Sequence, residues 1–250
     1  MKILHLSDLH LHRNNKDNKK AIKTLDNVNT KYPDHYIVIT GDIVDDGHEE
    51  QYENAFNKLK QFKDRIFIVP GNHDFGALGN FYSKERAKRF DEKLAGPLGQ
   101  GGTFLAENKP VVNVAGNGSD SVMFIALDTN LETEHPFDFA CGEVGDIQLD
   151  ALSAILANPT IPEMKKVLFF HHHPFVLDNP FMELKDAQEL ARVIYNKVDV
   201  ILFGHKHEMN YWENRWGVKY ILASDNSPGK SKAGEITIKD GIIKMKHVDI

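Results

Sequence analysis

A chain of 250 residues, 41% hydrophobic and 26% charged, can bury a sizeable core and is too apolar for disorder. Its formal net charge of −6 comes with no basic stripe, which argues against a general nucleic-acid binder, and its single cysteine, Cys141, excludes an internal disulfide and a thiolate zinc site. No apolar run reaches the ~18 residues of a membrane span, and Met1 leads into a short apolar run instead of a secretory leader, so a cytoplasmic protein is expected.

Lys2–Ser7 reads as an apolar strand. Lys19–Tyr32 reads as a helix, with Ala21, Ile22, Leu25 and Val28 at helical spacing and Pro33 stopping it. His35–Thr40 is a second strand, Glu49–Phe62 a second amphipathic helix, and Arg65–Val69 a third strand. This alternation predicts βαβ crossovers and adjacent parallel strands. Ser83–Leu94 reads as a charged helix, with Lys84, Arg86, Lys88 and Arg89 on a solvated face. Val111–Ala115 and Val122–Leu127 read as strands around a turn-rich Gly116–Asp120. A helix over Asp146–Leu156, with Asp146 as N-cap, precedes a buried strand over Val167–Phe170. A helix over Asp186–Tyr195 and a buried strand over Asp199–Phe203 follow. Glu235–Ile238 and Ile242–Lys246 flank Lys239-Asp240-Gly241 as a hairpin. With no repeat and no linker, residues 1–250 read as one domain of two packed sheets with helices on the outer faces.

Five motifs fall in order along this pattern: Asp8-x-His10, Gly41-Asp42, Gly71-Asn72-His73-Asp74, His172-x-Pro174 and Gly204-His205-x-His207. Each sits at or just past the C-terminal end of a predicted strand, the edge where open α/β sheets bind ligands. Carboxylate and amide oxygens with imidazole nitrogens suit manganese, iron or zinc. Asp8 and His10, two residues apart on an extended segment, present side chains to one side, as do His205 and His207. One such pair is common by chance, but the five together describe ligands for two adjacent divalent metal ions. They point to hydrolysis of a phosphate ester by metal-activated water. The scattered His5, His12, His35, His48, His135 and His247 read as structural, although His12 is near enough to Asp8-x-His10 to line a cleft. Asp45 and Asp46 read as caps of the turn after Asp42, and Phe137 and Phe139 as either core or a lid wall.

On these motifs the sequence resembles the calcineurin-like metallophosphoesterase superfamily. Its GDIVDDG, followed by a helix and then FIVPGNHD, is most like the bacterial cyclic-nucleotide and glycerophosphodiester phosphodiesterase branch. The resemblance covers nearly all of the chain and implies a four-layer α/β/β/α sandwich. It implies that Asp8, His10, Asp42 and His207 hold one metal and that Asp42, Asn72, His172 and His205 hold the other, with Asp42 bridging. It implies His73 as general acid or electrostatic stabiliser, with Asp74 orienting its ring. The family's His-x-Pro, counted back from Pro174, selects His172 over its neighbours His171 and His173.

The implied activity is in-line attack of a metal-bound hydroxide on small phosphodiesters such as cyclic nucleotides or glycerophosphodiesters. A nuclease or DNA-repair exonuclease, and a phosphomonoesterase or protein phosphatase, are alternatives on the same scaffold. A non-catalytic interaction module fits less well, because no ligand position is lost. Specificity is expected in the loops Arg13–Asn18, Phe75–Tyr82, Gly96–Gly102 and Glu132–Glu143.

Overall fold

The first seventy residues alternate strand and helix as the apolar runs require: β1 (Lys2–Leu6), α1 (Lys19–Lys31), β2 (Tyr36–Thr40), α2 (Glu49–Leu59) and β3 (Ile66–Val69). The structure, a computed structural model, describes residues 1–105, 109–130, 140–161, 163–176 and 179–250. After β3 come a short helix α3 (Asn72–Phe75), a small hairpin of β4 (Gly76–Ala77) and β5 (Phe81–Tyr82), and α4 (Lys84–Phe90). The second half holds β6 (Val111–Ala115), β7 (Val122–Ala126), α5 (Asp146–Ala157), β8 (Lys165–Phe169), α6 (Ala187–Ile194) and β9 (Val200–Phe203). It closes with β10 (Asn210–Arg215), β11 (Val218–Ala223), β12 (Lys232–Lys239) and β13 (Ile242–Asp249).

Sheet one runs β13-β12-β1-β2-β3, and sheet two runs β10-β11-β9-β8-β7-β6. In sheet one, β1, β2 and β3 are parallel, while β12 pairs antiparallel with β1 and with β13. In sheet two, β7, β8, β9 and β11 are parallel, and the two edge strands are antiparallel. All seven parallel strands thus end at one rim. The exposed edge of β3 is sealed by Gln100, whose carboxamide accepts from Ile68 N–H at 3.1 Å and donates to Ile66 O at 3.0 Å.

Side-chain parity sorts sheet two into two faces. Val122, Phe124, Ala126, Val167, Phe169, Val200 and Leu202 join the core shared with sheet one, where Phe67 and Phe124 stack with centroids 4.1 Å apart. Met123, Ile125, Leu127, Leu168, Phe170, Ile201 and Phe203 face α5 and α6. Helices α1, α2 and α4 join the first core through Leu25, Val28, Tyr52, Leu59, Ala87 and Phe90. The result is the expected four-layer α/β/β/α sandwich. Among the described residues, no helix is long and apolar enough to cross a membrane.

Two helices end earlier than their apolar spacing predicts. The Glu49–Phe62 helix tightens at Lys60–Arg65 into a 3₁₀ stretch, and the Ser83–Leu94 helix widens at Asp91–Ala95 into a π turn. Asp146 is not the N-cap of α5. Gly145, at φ +80°, takes that place, and Asp146 enters the first turn, where its charge suits the helix dipole. The neighbouring backbone N–H groups of Val144 and Gly145 go instead to the Asp186 carboxylate, at 2.8–3.0 Å.

Candidate metal centre

At the carboxyl rim the strands of both sheets break into turns that run against one another. Asp8 N–H donates to Gly41 O at 3.1 Å, His10 N–H to Asp42 O at 2.9 Å, and Gly204 N–H to His171 O at 3.0 Å. Ten described residues other than glycine have positive φ, and five of them are Asp8, His10, Asp42, His205 and His207. Such backbone costs an L-residue of order 1–3 kcal/mol and concentrates where a side chain must be aimed. Half of this strain therefore falls on the motif residues.

The aimed side chains converge on two adjoining clusters. In the first, His10 Nε2 lies 3.2 Å from His207 Nε2, and Asp8 Oδ1 lies 3.8 Å from His207 Nε2. In the second, His171 Nε2 lies 2.9 Å from Asn72 Oδ1 and 3.2 Å from His205 Nδ1, which is itself 3.1 Å from Asn72 Oδ1. Asp42 stands between them, its Oδ2 3.4 Å from His171 Nε2 and 3.9 Å from His10 Nε2. Its Oδ1 accepts the His73 backbone N–H at 2.9 Å, so Oδ2 is the oxygen turned to the imidazoles.

Hydrogen bonds behind the clusters fix which ring nitrogen faces inward. A carbonyl oxygen can only accept, so His171 Nδ1–H donates to Thr40 O at 2.8 Å and leaves Nε2 towards Asn72. His73 Nδ1–H likewise donates to Asp45 O at 2.8 Å, which frees its Nε2. The Asp45 carboxylate approaches His10 Nδ1 at 3.5 Å and His12 Nδ1 at 3.2 Å.

Electrostatics say what this arrangement wants. Burial opposes charge on His10, but Asp45, Asp42 and Asp8 outweigh it and lift its pKa to about 9. Burial likewise opposes charge on His171, and Asp42 and Asp8 raise it to about 9. Asp42 is buried, yet His171 above all holds it well below the usual carboxylate range. Burial drives His205 strongly down, with His171 adding to the effect. The buried Asp8 Oδ2 has no hydrogen-bond partner. The close approach of Asn72 Oδ1, His171 Nε2 and His205 Nδ1, the unpartnered Asp8 oxygen and the carboxylates that favour positive charge on two imidazoles all fit divalent cations. Three overlapping groups, Asp8–His10–His207, His10–Asp42–His73 and Asp8–Asp42–His171, bring ligand atoms within 4.8 Å of one another.

Five expectations change, the first being that Asp8, His10, His205 and His207 lie on left-handed rather than extended backbone. His171, not His172, has its ring nitrogen among Asp42, Asn72 and His205. The reason is parity: 167, 169 and 171 point to the inter-sheet side, while 168, 170 and 172 point the other way. His172 is fully buried, with Nδ1 2.8 Å from Thr129 Oγ1 and its ring packed under Gly142, where a Cβ would come within 2.3 Å of His172 Cγ. That alternation, read from Pro174 back through the strand, was available in the sequence and competes with motif counting.

Asp74 does not orient the His73 ring. Its carboxylate is turned back to accept N–H groups from Gly71 at 2.8 Å, Val44 at 2.9 Å and Ile43 at 3.2 Å, clamping two turns together. Burial, helped by Asp42, pushes its pKa up to about 7 against these donors. Asp45 and Asp46 hold side chains rather than cap a turn: Asp46 pairs with Arg13, His48 and the half-buried Arg86. Arg86 and Arg89, read as solvated, thus turn inward, Arg89 donating to Gly47 O at 3.3 Å. Phe137, Phe139 and most of the Glu132–Glu143 loop lie outside the described residues.

The calcineurin-like phosphoesterase family model matches residues 1–209, a span that includes every motif above. A probable cyclic nucleotide phosphodiesterase of Coxiella burnetii is 27% identical over 217 residues, covering 83% of this chain and 76% of that protein. The 3′,5′-cyclic adenosine monophosphate phosphodiesterase CpdA of Haemophilus influenzae is 27% identical over 75% of this chain, which spans 59% of its length. A probable glycerophosphodiester phosphodiesterase of Arcobacter nitrofigilis is 25% identical over 82% of this chain and 67% of its own. In structure, a dimetal phosphatase from Danio rerio shares the fold with a TM-score of 0.72 at 15% identity, over 99% of this chain and 95% of that one.

Proposed function

The chain belongs to the calcineurin-like phosphoesterase family, the metal-dependent phosphoric ester hydrolases, and on that premise we propose that it hydrolyses small phosphodiesters at a pair of divalent cations. The observation that carries this is the convergence of two carboxylates, a carboxamide oxygen and four imidazoles on two clusters that share Asp42. In this reading Asp8, His10, His207 and Asp42 hold one cation, and Asp42, Asn72, His171 and His205 hold the other. Manganese, iron or zinc each suits the donor set. When bound, such ions supply Lewis acidity to a phosphoryl oxygen and lower the pKa of a coordinated water towards ~7.

The chain's own residues supply the rest. His73, with Nδ1–H donated to Asp45 O, can present a proton at Nε2. An alkoxide leaving group needs that proton, and a positioned general acid contributes about 10²–10⁴-fold. Asp45 holds the rings of His10 and His12 as well as His73, so one residue sets the mutual orientation of a ligand, a cleft wall and the acid. Diesters are favoured over monoesters because the relatives named for cyclic nucleotides and glycerophosphodiesters align across the motif-bearing region.

The test is a substrate panel on protein loaded separately with manganese, iron(II) and zinc. It includes bis(p-nitrophenyl) phosphate, 3′,5′-cyclic AMP, a glycerophosphodiester, single-stranded DNA and p-nitrophenyl phosphate. Turnover of small diesters above monoester and DNA is expected. Background rates with all three metals overturn the reading, and preferential monoester or DNA cleavage moves the chain to another substrate class.

A further inference from the structure

The hairpin after the Gly71-Asn72-His73-Asp74 turn is built against two functional side chains at once. Its tip residues Leu78 and Gly79 both have positive φ, +56° and +70°. Leucine is disfavoured there, and Leu78 is also 75% exposed, so the tip's conformation is not maintained by burial of its side chain. What the tip does make is a contact with the metal centre. Asn72 Nδ2–H donates to Gly79 O at 2.9 Å. A Cβ on Gly79 would lie 2.6 Å from Asn72 Nδ2 and 2.6 Å from both Cδ2 and Nε2 of His73.

A carboxamide has two ends of nearly equal shape, one that only accepts and one that only donates. Only the oxygen can ligate a cation. The Gly79 carbonyl accepts, so it holds the NH₂ end and leaves Oδ1 towards His171 Nε2 and His205 Nδ1. We propose that Gly79 is a positioning residue: its carbonyl selects the ligating end of Asn72, and its bare Cα lets the hairpin close on His73. This rests on Asn72 being a metal ligand and His73 the acid. It adds a residue outside the five motifs, in a loop that the sequence marks only as a candidate for specificity.

Gly79→Ala is compared with Gly99→Ala. Gly99 has φ +75° and open space around its Cα, so the control carries the same backbone strain without the collision. Mn²⁺ binding is followed by the electron paramagnetic resonance of free and bound ion, beside kcat and KM on bis(p-nitrophenyl) phosphate. Gly79→Ala is expected to weaken one of two Mn²⁺ sites by about 10–100-fold, the range for residues that orient a ligand. It should also lower kcat more than it raises KM, whereas Gly99→Ala keeps both sites and its kcat.

Equal behaviour of the two variants overturns the proposal. A wild-type chain that binds no Mn²⁺ defeats the metal-centre reading instead, so the two failures are distinct. Should Gly79→Ala not fold, the wild-type Asn72 carboxamide protons, assigned by their loss in Asn72→Asp, are read by solvent exchange. Exchange slowed at least about tenfold relative to the exposed Asn117 carboxamide supports the contact, and equal rates refute it.

Discussion

The two ends of sheet two are built from the same strands and differ in almost every other respect. At the carboxyl end, His171 and His205 are buried, their nitrogens face one another, and His205 and His207 have left-handed backbone. At the amino end lies a cavity of about 690 Å³ lined by Lys165, Lys166, Lys197, Lys219, Glu163 and Asp199. It is roomy and charged, yet its charges are ordinary surface ones: Lys165 pairs with Asp199 at 2.8 Å, and Lys197 and Lys219 are exposed. Volume is therefore a poor guide to chemistry in this molecule. Buried polar atoms that converge on one another, on backbone strained to aim them, mark the better candidate.

The sharpest way to break this contrast lies within the carboxyl rim. His171→Ala should bring diester turnover to background and remove bound metal, whereas His172→Ala should keep metal and lose about 0.5–3 kcal/mol of stability from its buried contact with Thr129. Metal analysis and urea unfolding of both variants read this, and the opposite pattern would restore the motif count from Pro174. Next in size, His73→Gln should lower kcat by about 10²–10⁴-fold with bound metal unchanged. Metal lost together with activity would make His73 a ligand, as its grouping with His10 and Asp42 allows.

A smaller effect tests the polar layer beneath the rim. Burial lowers the His5 pKa to about 3, and its Nε2 is bonded to Thr40 Oγ1 at 2.9 Å. As pH falls below 6.5, the ordinary histidine pKa, the unfolded chain takes up a proton that the folded chain refuses until about pH 3. Stability is therefore lost across that window, by at most about 1.4 kcal/mol per pH unit from this group. In chelator, the urea midpoint of His5→Gln should fall less steeply between pH 6.5 and 4.5 than that of the wild type, and parallel curves would contradict the assignment. The smallest effect belongs to the amino rim. Replacing Lys197 and Lys219 together by alanine should leave turnover unchanged and stability within about 0.5 kcal/mol, and a large loss of activity would show that the lysine cavity matters after all.

The alternation of β-branched runs with helical spacing already dictated the layers, because parallel strands joined by helices have few ways to bury both faces. The motifs after β1, β2, β3 and β9 were legible too, since a strand's carboxyl end is where a chain can carry polar groups past its core. Three consecutive histidines could not be resolved by counting to Pro174. Which of them faces sheet one depends on strand parity carried past the last hydrogen-bonded residue, and on Thr129 and Gly142 claiming His172 from the other side.

Asp74 and Asp45 exchanged expected parts for a similar reason. Three backbone donors from two separate turns reach Asp74, and a carbonyl four residues beyond Gly41 reaches His73. Sequence by itself determined the donor types, their order and the sheet edge that presents them, because those follow from hydrophobic period and donor chemistry. Only the tertiary structure decided which ring nitrogen, which carboxylate and which end of the Asn72 amide face inward. Those choices are made by hydrogen bonds between segments that the chain brings together from far apart.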